Sequence, residues 1–445
     1  MVDLKPFQGL RYNPLKTPLQ QVVSPPYDVI GRELQQALYA RSPYNAVRVD
    51  LNIVEPGDTQ ENNAFTRATH FLSSWQAEGI LQTDAKPCIY AYSQSWQDGD
   101  TNYERKGVVA LLKLEAYAAK KILPHEQTLK GPIADRLTLM KTTMANLSQI
   151  FMIYGDPSQT MERLLFDEVP PSDSNWQQAT DEHGVLHRFY AVDDDTTINA
   201  IQALFADKSA LIADGHHRYE TALAFQKAVR DALGEKGEHP PEGSLPSDYL
   251  MVFLANLDDP GLLVLPTDRV LYKWPDDWDA ERFEKALYEH YEKTTADKAN
   301  FHVRLHGANN ELTPVRLKNT AAMANVPDLL RDYDTAVLEE TVFKNILGQE
   351  SQQAMKLKHL LGFYRDPKYV KKLMDAGEAV AEFAMGPPPV ALVKQICEAG
   401  YLMPQKSTYF YPKILTGLVF YPYTHLPPSL FSTSKLDPTV AMVPE

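Results

Sequence analysis

Asp214-Gly215-His216-His217-Arg218 stands where two unlike sequence patterns meet, and its residue types could do chemistry. Ala210 to Ala213, just before it, has the length and apolarity of a short buried strand. After it, Ala222, Phe225, Val229 and Leu233 recur at helical spacing and predict a helix with one buried stripe. Asp214 is placed to cap that helix, and Gly215 lets a ligand approach the backbone closely. His216, His217 and Arg218 then fall in the first turn, where backbone amides and the helix dipole favour an anion. Cations in a first turn work against the dipole, so three potential ones imply an anion to hold, and phosphate is the obvious candidate. The competing view is an ordinary strand–turn–helix junction, with His217 as a hydrogen-bonded support. A metal held by the histidine pair fits poorly, because adjacent residues on a helix point about 100° apart.

The elements that must position this turn are legible in the rest of the chain. In the first segment, Pro25-Pro26 makes a rigid turn that presents Tyr27 and Asp28, with Asp28 able to cap a helix from Arg32 to Arg41. Asn45 to Leu51 alternates as a strand, and Ala64, Phe65, Ala68, Phe71, Leu72 and Trp75 give a helical face. Cys88 to Trp96 and Gly107 to Glu115 predict a long hairpin turning at Asp98-Gly99, with Arg105 and Lys106 solvated near the turn.

A short strand into Leu123 ends at Pro124 and delivers His125 and Glu126 at its exit. Asp135 and Arg136 open a helix bearing Leu137, Met140, Met144 and Leu147. Ile150 to Tyr154 is a buried strand, Pro170 to Asn175 a polar loop, Val185 to Val192 a strand, and Ile198 to Phe205 a helix. Gly234 to Asp248 lacks apolar periodicity and is either a lid or an excursion. Further on, helices around Phe283 to His290, Ala336 to Ile346 and Val390 to Ala399 alternate with short strands, before a strand-rich stretch from Met403 to Tyr421. There Lys406, Ser407, Thr408 and Lys413 could reach a phosphate, or the segment is a plain β-edge. The last twenty residues are expected to trail over the surface.

At 445 residues the chain is long enough for two or three cores. A net charge of −14 disfavours a general nucleic-acid surface, whose affinity is mainly phosphate neutralisation. Two cysteines, Cys88 and Cys397, are too few for a disulfide framework and fit a reducing compartment. With no apolar signal core and no run of 18 apolar residues, a cytoplasmic location is expected, with no membrane partner.

The segments PFQGLRY, SPPYDVI, RSPYNAVRVDL, ERKGVVALL, LPHEQTL, ADGHHRYETAL, DDPGLLVLPTDR and MPQKSTYFYPK, in this order, resemble the domain-of-unknown-function family numbered one-zero-one-five, from about Lys5 to Tyr421. The central part is similar to the ParB–sulfiredoxin superfamily. There a strand-exit box like LPHE lies across from a strand–turn–helix phosphate motif. The D-G-H-H-R version belongs to the free-serine kinases, and this chain carries it at Asp214 to Arg218. The resemblance implies an α/β N-terminal domain (1–118), a ParB/sulfiredoxin-like core (119–272) and an α+β C-terminal domain (273–445). Sulfiredoxin chemistry is excluded at this site, because His216 stands where its nucleophilic cysteine belongs. ParB-like clamping of DNA is at odds with the net charge.

The resemblance to the serine kinases implies phosphoryl transfer from a nucleotide, ADP or ATP, to a small hydroxylated substrate, with free L-serine favoured, and the following residue roles. Gly215, His216, His217 and Arg218 would hold phosphates, and Asp214 would bind Mg²⁺ or orient the motif. Glu126 would accept the hydroxyl proton, with His125, Lys406, Ser407 and Thr408 as further substrate or phosphate contacts. Binding without turnover and nucleotide hydrolysis are the alternatives. One departure stands out: Asp268 occupies a position in Pro266 to Arg269 where many relatives would carry histidine.

Overall fold

The computed structural model describes residues 2–126, 131–167, 176–307 and 311–431. They fold into two compact units, one from Met1–Leu123, Thr128–Leu262 and Pro412–Glu445, the other from Pro124–Gln127 and Leu263–Tyr411. The chain therefore leaves the first unit twice and returns to it twice.

A nine-stranded mixed sheet is the centre of the first unit. Its strands are β1 (Leu4–Lys5), β2 (Ile89–Asp98), β3 (Thr101–Lys113), β4 (Ile122–Leu123), β5 (Ile150–Tyr154), β6 (Gln177–Thr180), β7 (Leu186–Val192), β8 (Ala210–Asp214) and β9 (Tyr249–Asn256). They lie in the order β4-β8-β5-β9-β3-β2-β7-β6, with β1 also against β3. The β2–β3 hairpin turns at Gly99, whose φ of 57° is cheap only for a residue without Cβ. β9 is apolar and buried along its whole length, as a central strand covered on both faces requires. Because β3 pairs with β9, residues on both sides of 118 share one sheet and one core, so the first and second expected segments are not separate bodies. The physical reason is strand pairing between distant stretches, which no local pattern announces.

Several local expectations change. Asn45 to Leu51 is not a strand: Val47–Asp50 is a helical turn, with the Asn45 side chain accepting from the Val47 amide. Val47, Val49 and Leu51 are all buried, so alternation there reflects burial around the whole turn. Asp28 is not the N-cap of the Arg32–Arg41 helix, which starts at Gly31. The helix expected to open at Asp135 spans Gly131–Thr143 and ends at Met144, whose φ is 49°. The stretch 234–248 leaves from the far end of its 19-residue helix, about 28 Å from the motif, which argues against a lid there. Arg230 pins it through the carbonyls of Pro240 and Pro241 and the carboxylate of buried Asp248. Of the last twenty residues, Leu426 and Leu430 join a core cluster with Phe225 and Val229 while Pro427 and Ser429 are exposed, so the described part is anchored and does not simply trail. The polar loop expected at 170–175 lies outside the described residues.

The second unit is built on a six-stranded antiparallel sheet. Its order is Tyr291–Lys293, Thr313–Leu317, Phe301–Leu305, Ala381–Ala384, Asp268–Leu271 and Leu361–Tyr364. The helix Ala280–His290 and the wide helical segment Leu338–Ile346 supply Phe283, Leu287, Val342 and Phe343 to its core. Gly348, at φ 64°, follows that segment as a helix stop should. Leu263–Leu265 pairs with Tyr409–Tyr411. Between Met403 and Tyr421 the described strands are only Tyr409–Tyr411 and the start of Tyr421–Pro422, so this stretch is less regular than its alternation implies.

Candidate functional site

β8 runs into Gly215 at φ 98°, and the helix His216–Gly234 starts there. An added Cβ at Gly215 would meet Arg218 Nε at 2.9 Å, so both conformation and space demand glycine. The N-cap position of that helix falls on Gly215, one residue after Asp214. The Asp214 carboxylate lies between two cations, with Arg218 Nη2 donating to Oδ2 at 3.0 Å and Lys413 Nζ 3.2 Å from Oδ1. The anion that the turn's cations call for is thus supplied in part by the protein itself. Arg218 is only 7% exposed and also donates to the Gln149 carbonyl at 2.7 Å. His216 is buried beside it, and the His217 carbonyl accepts from Thr221 Oγ1. Of the expected phosphate-binding residues, the turn brings Gly215, His216, His217 and Arg218 together, and adds Lys413.

Sequence reasoning missed the other wall of this cluster. Arg136, inside the Gly131–Thr143 helix, donates to the Asp50 carbonyl and to the Asp135 carboxylate, and its guanidinium lies 4.2 Å from the Tyr27 ring centroid. Burial pulls the Arg218 pKa down. Asp214, Asp28, Tyr27 and Asp50 around it outweigh that effect and leave it above the ordinary value. Burial likewise raises the Asp50 carboxyl, against the pull of Arg136 and Arg218. Asp28 Oδ1, Asp135 Oδ1, Gln149 Oε1 and Ser24 Oγ are buried without a hydrogen-bond partner among the described residues. Buried polar atoms normally find one. The signal that could have found these residues is the SPPYD turn, whose purpose shows only once Tyr27 is seen against Arg136.

Arg105 is fully buried, not solvated. It donates to Gln94 Oε1 and to the Pro412 carbonyl, and stacks 4.5 Å from the Phe151 ring centroid. Burial pulls its pKa down to about 10. The neighbouring Gln94 amide donates to the Lys413 carbonyl at 2.8 Å, so β2 and β3 together fix the strip that carries Lys413.

The remaining expected residues form a second cluster, within the second unit. Ser407 N donates to Glu126 Oε1 at 3.0 Å, and His125 Nε2 is 3.5 Å from the same oxygen and 2.7 Å from Thr408 Oγ1. Residues 125, 126, 407 and 408 therefore do meet, while Lys406 is exposed at φ 56°. Asp268 accepts from the Met385 amide at 3.0 Å, which gives it a structural duty at the end of a strand. Among the described residues no group of three or more His, Cys, Asp and Glu side chains is disposed to hold a metal ion. No described helix is long and apolar enough to cross a membrane.

No curated protein matches the chain. Among solved structures it is similar to a free serine kinase in complex with AMP, at 13% identity and a TM-score of 0.33, covering 72% of this chain and 93% of that one. It is also similar to a conserved hypothetical protein from Pyrococcus furiosus, at 13% identity and a TM-score of 0.35, covering 72% and 97%. A third is SbnI with C-terminal truncation from Staphylococcus aureus, at 11% and 0.36, covering 72% and 88%. The family described as "Protein of unknown function (DUF1015)" matches residues 4–336, and the chain, with the motif turn inside that span, belongs to it.

Proposed function

We propose that the chain binds a nucleotide, ADP or ATP, by its phosphates at the Asp214–Arg218 turn and transfers a phosphoryl group to a small hydroxylated molecule. Free L-serine is the acceptor that the resemblance to the serine kinases favours, and the ParB–sulfiredoxin-like core is the fold that goes with it. The observation that carries this reading is a left-handed glycine opening a 19-residue helix, with Arg218 and Lys413 converging on the same turn. Helix starts of this kind direct backbone amides and a positive dipole end at an anion. Arg218 offers a fixed fork to phosphate oxygens, and Lys413 a mobile point charge.

Asp214 orients those two cations. With both its oxygens already spanned by them, it fits that role better than the Mg²⁺ ligation expected of it. Glu126 is assigned the acceptance of the hydroxyl proton, its carboxylate held by the Ser407 amide. One observation favours the rival, nucleotide binding without turnover: Arg136, Arg218 and Lys413 already face Asp28, Asp50, Asp135 and Asp214, so protein carboxylates compete for the cations a transition state would use.

The test has two stages. Millimolar ADP, ATP, GTP or CTP with Mg²⁺ should raise the melting temperature, since a ligand that binds only the native state stabilises it by mass action. Phosphorus NMR with and without L-serine and other hydroxylated metabolites then separates kinase, hydrolase and silent binder. A melting curve that no nucleotide moves would sink the proposal.

A further inference from the structure

The second unit contains a cavity of about 330 Å³, bordered by Glu339, Glu340, Lys344, Gln352, Met403 and Gln405 among others. That volume is at the lower end of ligand pockets, the size of a small metabolite. Its charged side is built from behind. Buried Arg269 donates from Nε to Gln352 Oε1 at 2.9 Å, and Gln352 Nε2 donates in turn to Glu339 Oε2 at 2.9 Å. Gln352 is itself 1% exposed, so Glu339 is held on a fixed support. The Arg269 Nη1 and Nη2 groups donate to the carbonyls of Thr267, Gln405 and Lys406, which keeps the strip beside the cavity in place.

Glu339 is only half used by this arrangement. Among the described residues, the nearest cation to its Oε1 is Lys344 Nζ at 4.0 Å, beyond hydrogen-bond reach, while the same ammonium is 2.8 Å from Glu340 Oε2. Two carboxylates thus border the cavity against one lysine, and that lysine reaches one of them. An ammonium brings three donors and one positive charge, which the Glu339 carboxylate would answer, and Gln353 and Asn325 also border the cavity. An anionic ligand would meet two carboxylates and is excluded by charge.

We propose that this cavity is a binding site for a small molecule carrying an ammonium group, separate from the phosphate site and independent of whether that site turns over. Burial raises the Glu339 pKa, with Lys344, Gln352 and Arg269 opposing it, so an incoming cation would find a carboxyl that gains by ionising.

The test uses ethanolamine as the probe, with ethylene glycol as the neutral match and glycolate as the anionic one, read by calorimetry and by melting temperature on the full chain. Ethanolamine should bind and the other two should not. Glu339→Gln should weaken ethanolamine by about tenfold or more, the scale of one charge-assisted hydrogen bond, and Arg218→Ala should leave it unchanged. Glu340→Gln is the second variant should Glu339→Gln fail to fold, and it should weaken the probe as well. Failure of ethanolamine to bind, equal binding of ethylene glycol, or unaltered affinity in both glutamine variants would overturn the proposal. Loss of nucleotide binding in the wild type would count only against the phosphate site.

Discussion

Arg218 in the first unit and Arg269 in the second are both buried guanidiniums, 7% and 1% exposed, and each is held by the protein in its own way. Around Arg218 the Gln149 carbonyl is joined by charged groups: Asp214 at 3.0 Å, with Asp28 and Asp50 near enough to keep its pKa above the ordinary value despite burial. Around Arg269 the hydrogen-bond partners are neutral, namely an amide oxygen and backbone carbonyls, and burial pulls its pKa below the ordinary value. A cation set among movable carboxylates can exchange one anion for another. A cation tied to backbone carbonyls is a spool for the chain. The contrast teaches that burial alone does not mark a functional arginine; the chemistry of its partners does.

The largest expected effect tests the second unit's share in activity. Glu126→Gln keeps the size and the Ser407 contact but cannot accept a proton, so turnover should fall by about 10²–10⁴ while nucleotide-induced stabilisation survives. If stabilisation goes with the activity, Glu126 is a brace and not a base.

Next come the two arginines. Arg218→Ala should abolish a nucleotide stabilisation that at a hundredfold excess over Kd amounts to about 2.7 kcal/mol. It should also lower the stability of the unliganded protein, because Asp214 loses a buried partner. Arg269→Leu should destabilise without changing nucleotide affinity. Equal loss of nucleotide binding in the two variants would erase the distinction drawn between them.

Gly215→Ala is a smaller perturbation, worth about 1–3 kcal/mol from the left-handed backbone. The new methyl also displaces Arg218, so weaker nucleotide binding should accompany a lower melting temperature. Unchanged affinity would mean the turn does not touch phosphate.

The smallest effect is on pH. Burial pushes Glu162 in the first unit and Glu382 in the second up to about 7, from an ordinary 4.5. The folded state then holds these protons more tightly than the unfolded state. Their stabilisation is complete below about 4.5 and is lost as pH rises through about 7. Glu162→Gln and Glu382→Gln should each therefore flatten the fall of melting temperature between about pH 5 and 8. Identical slopes in wild type and Glu162→Gln would show that Glu162 does not titrate there.

Much of the site was legible where the pattern was local. The motif turn, its glycine and the stripe Ala222, Phe225, Val229 and Leu233 follow from strand length, helical period and one left-handed position. The misreadings came where distant chain decides. Val47, Val49 and Leu51 alternate like a strand, yet the Asn45 side chain and burial on every side make a helical turn. Arg105 sits near a hairpin turn in sequence but beneath Phe151, Gln94 and Pro412 in space. Asp214 lies one residue before the N-cap, and Arg218 and Lys413 claim its oxygens. Lys413 lies nearly two hundred residues beyond the motif, too far for any window to connect them.

That last separation bears on how the protein is made. The first unit closes only when the stretch from Pro412 onward rejoins it, bringing Lys413 to Asp214 and Tyr423, Leu426 and Leu430 over Phe225. At typical synthesis rates of about 5–20 residues per second, the ribosome needs roughly 10–40 s to travel from the motif to this closing strip. During that time the motif helix has an apolar flank without its cover and an aspartate without one of its two cations. Release of a nascent chain before the closing strip emerges would leave a surface that chaperones recognise, so completion of the Asp214 turn and escape from quality control are set by the same late residues.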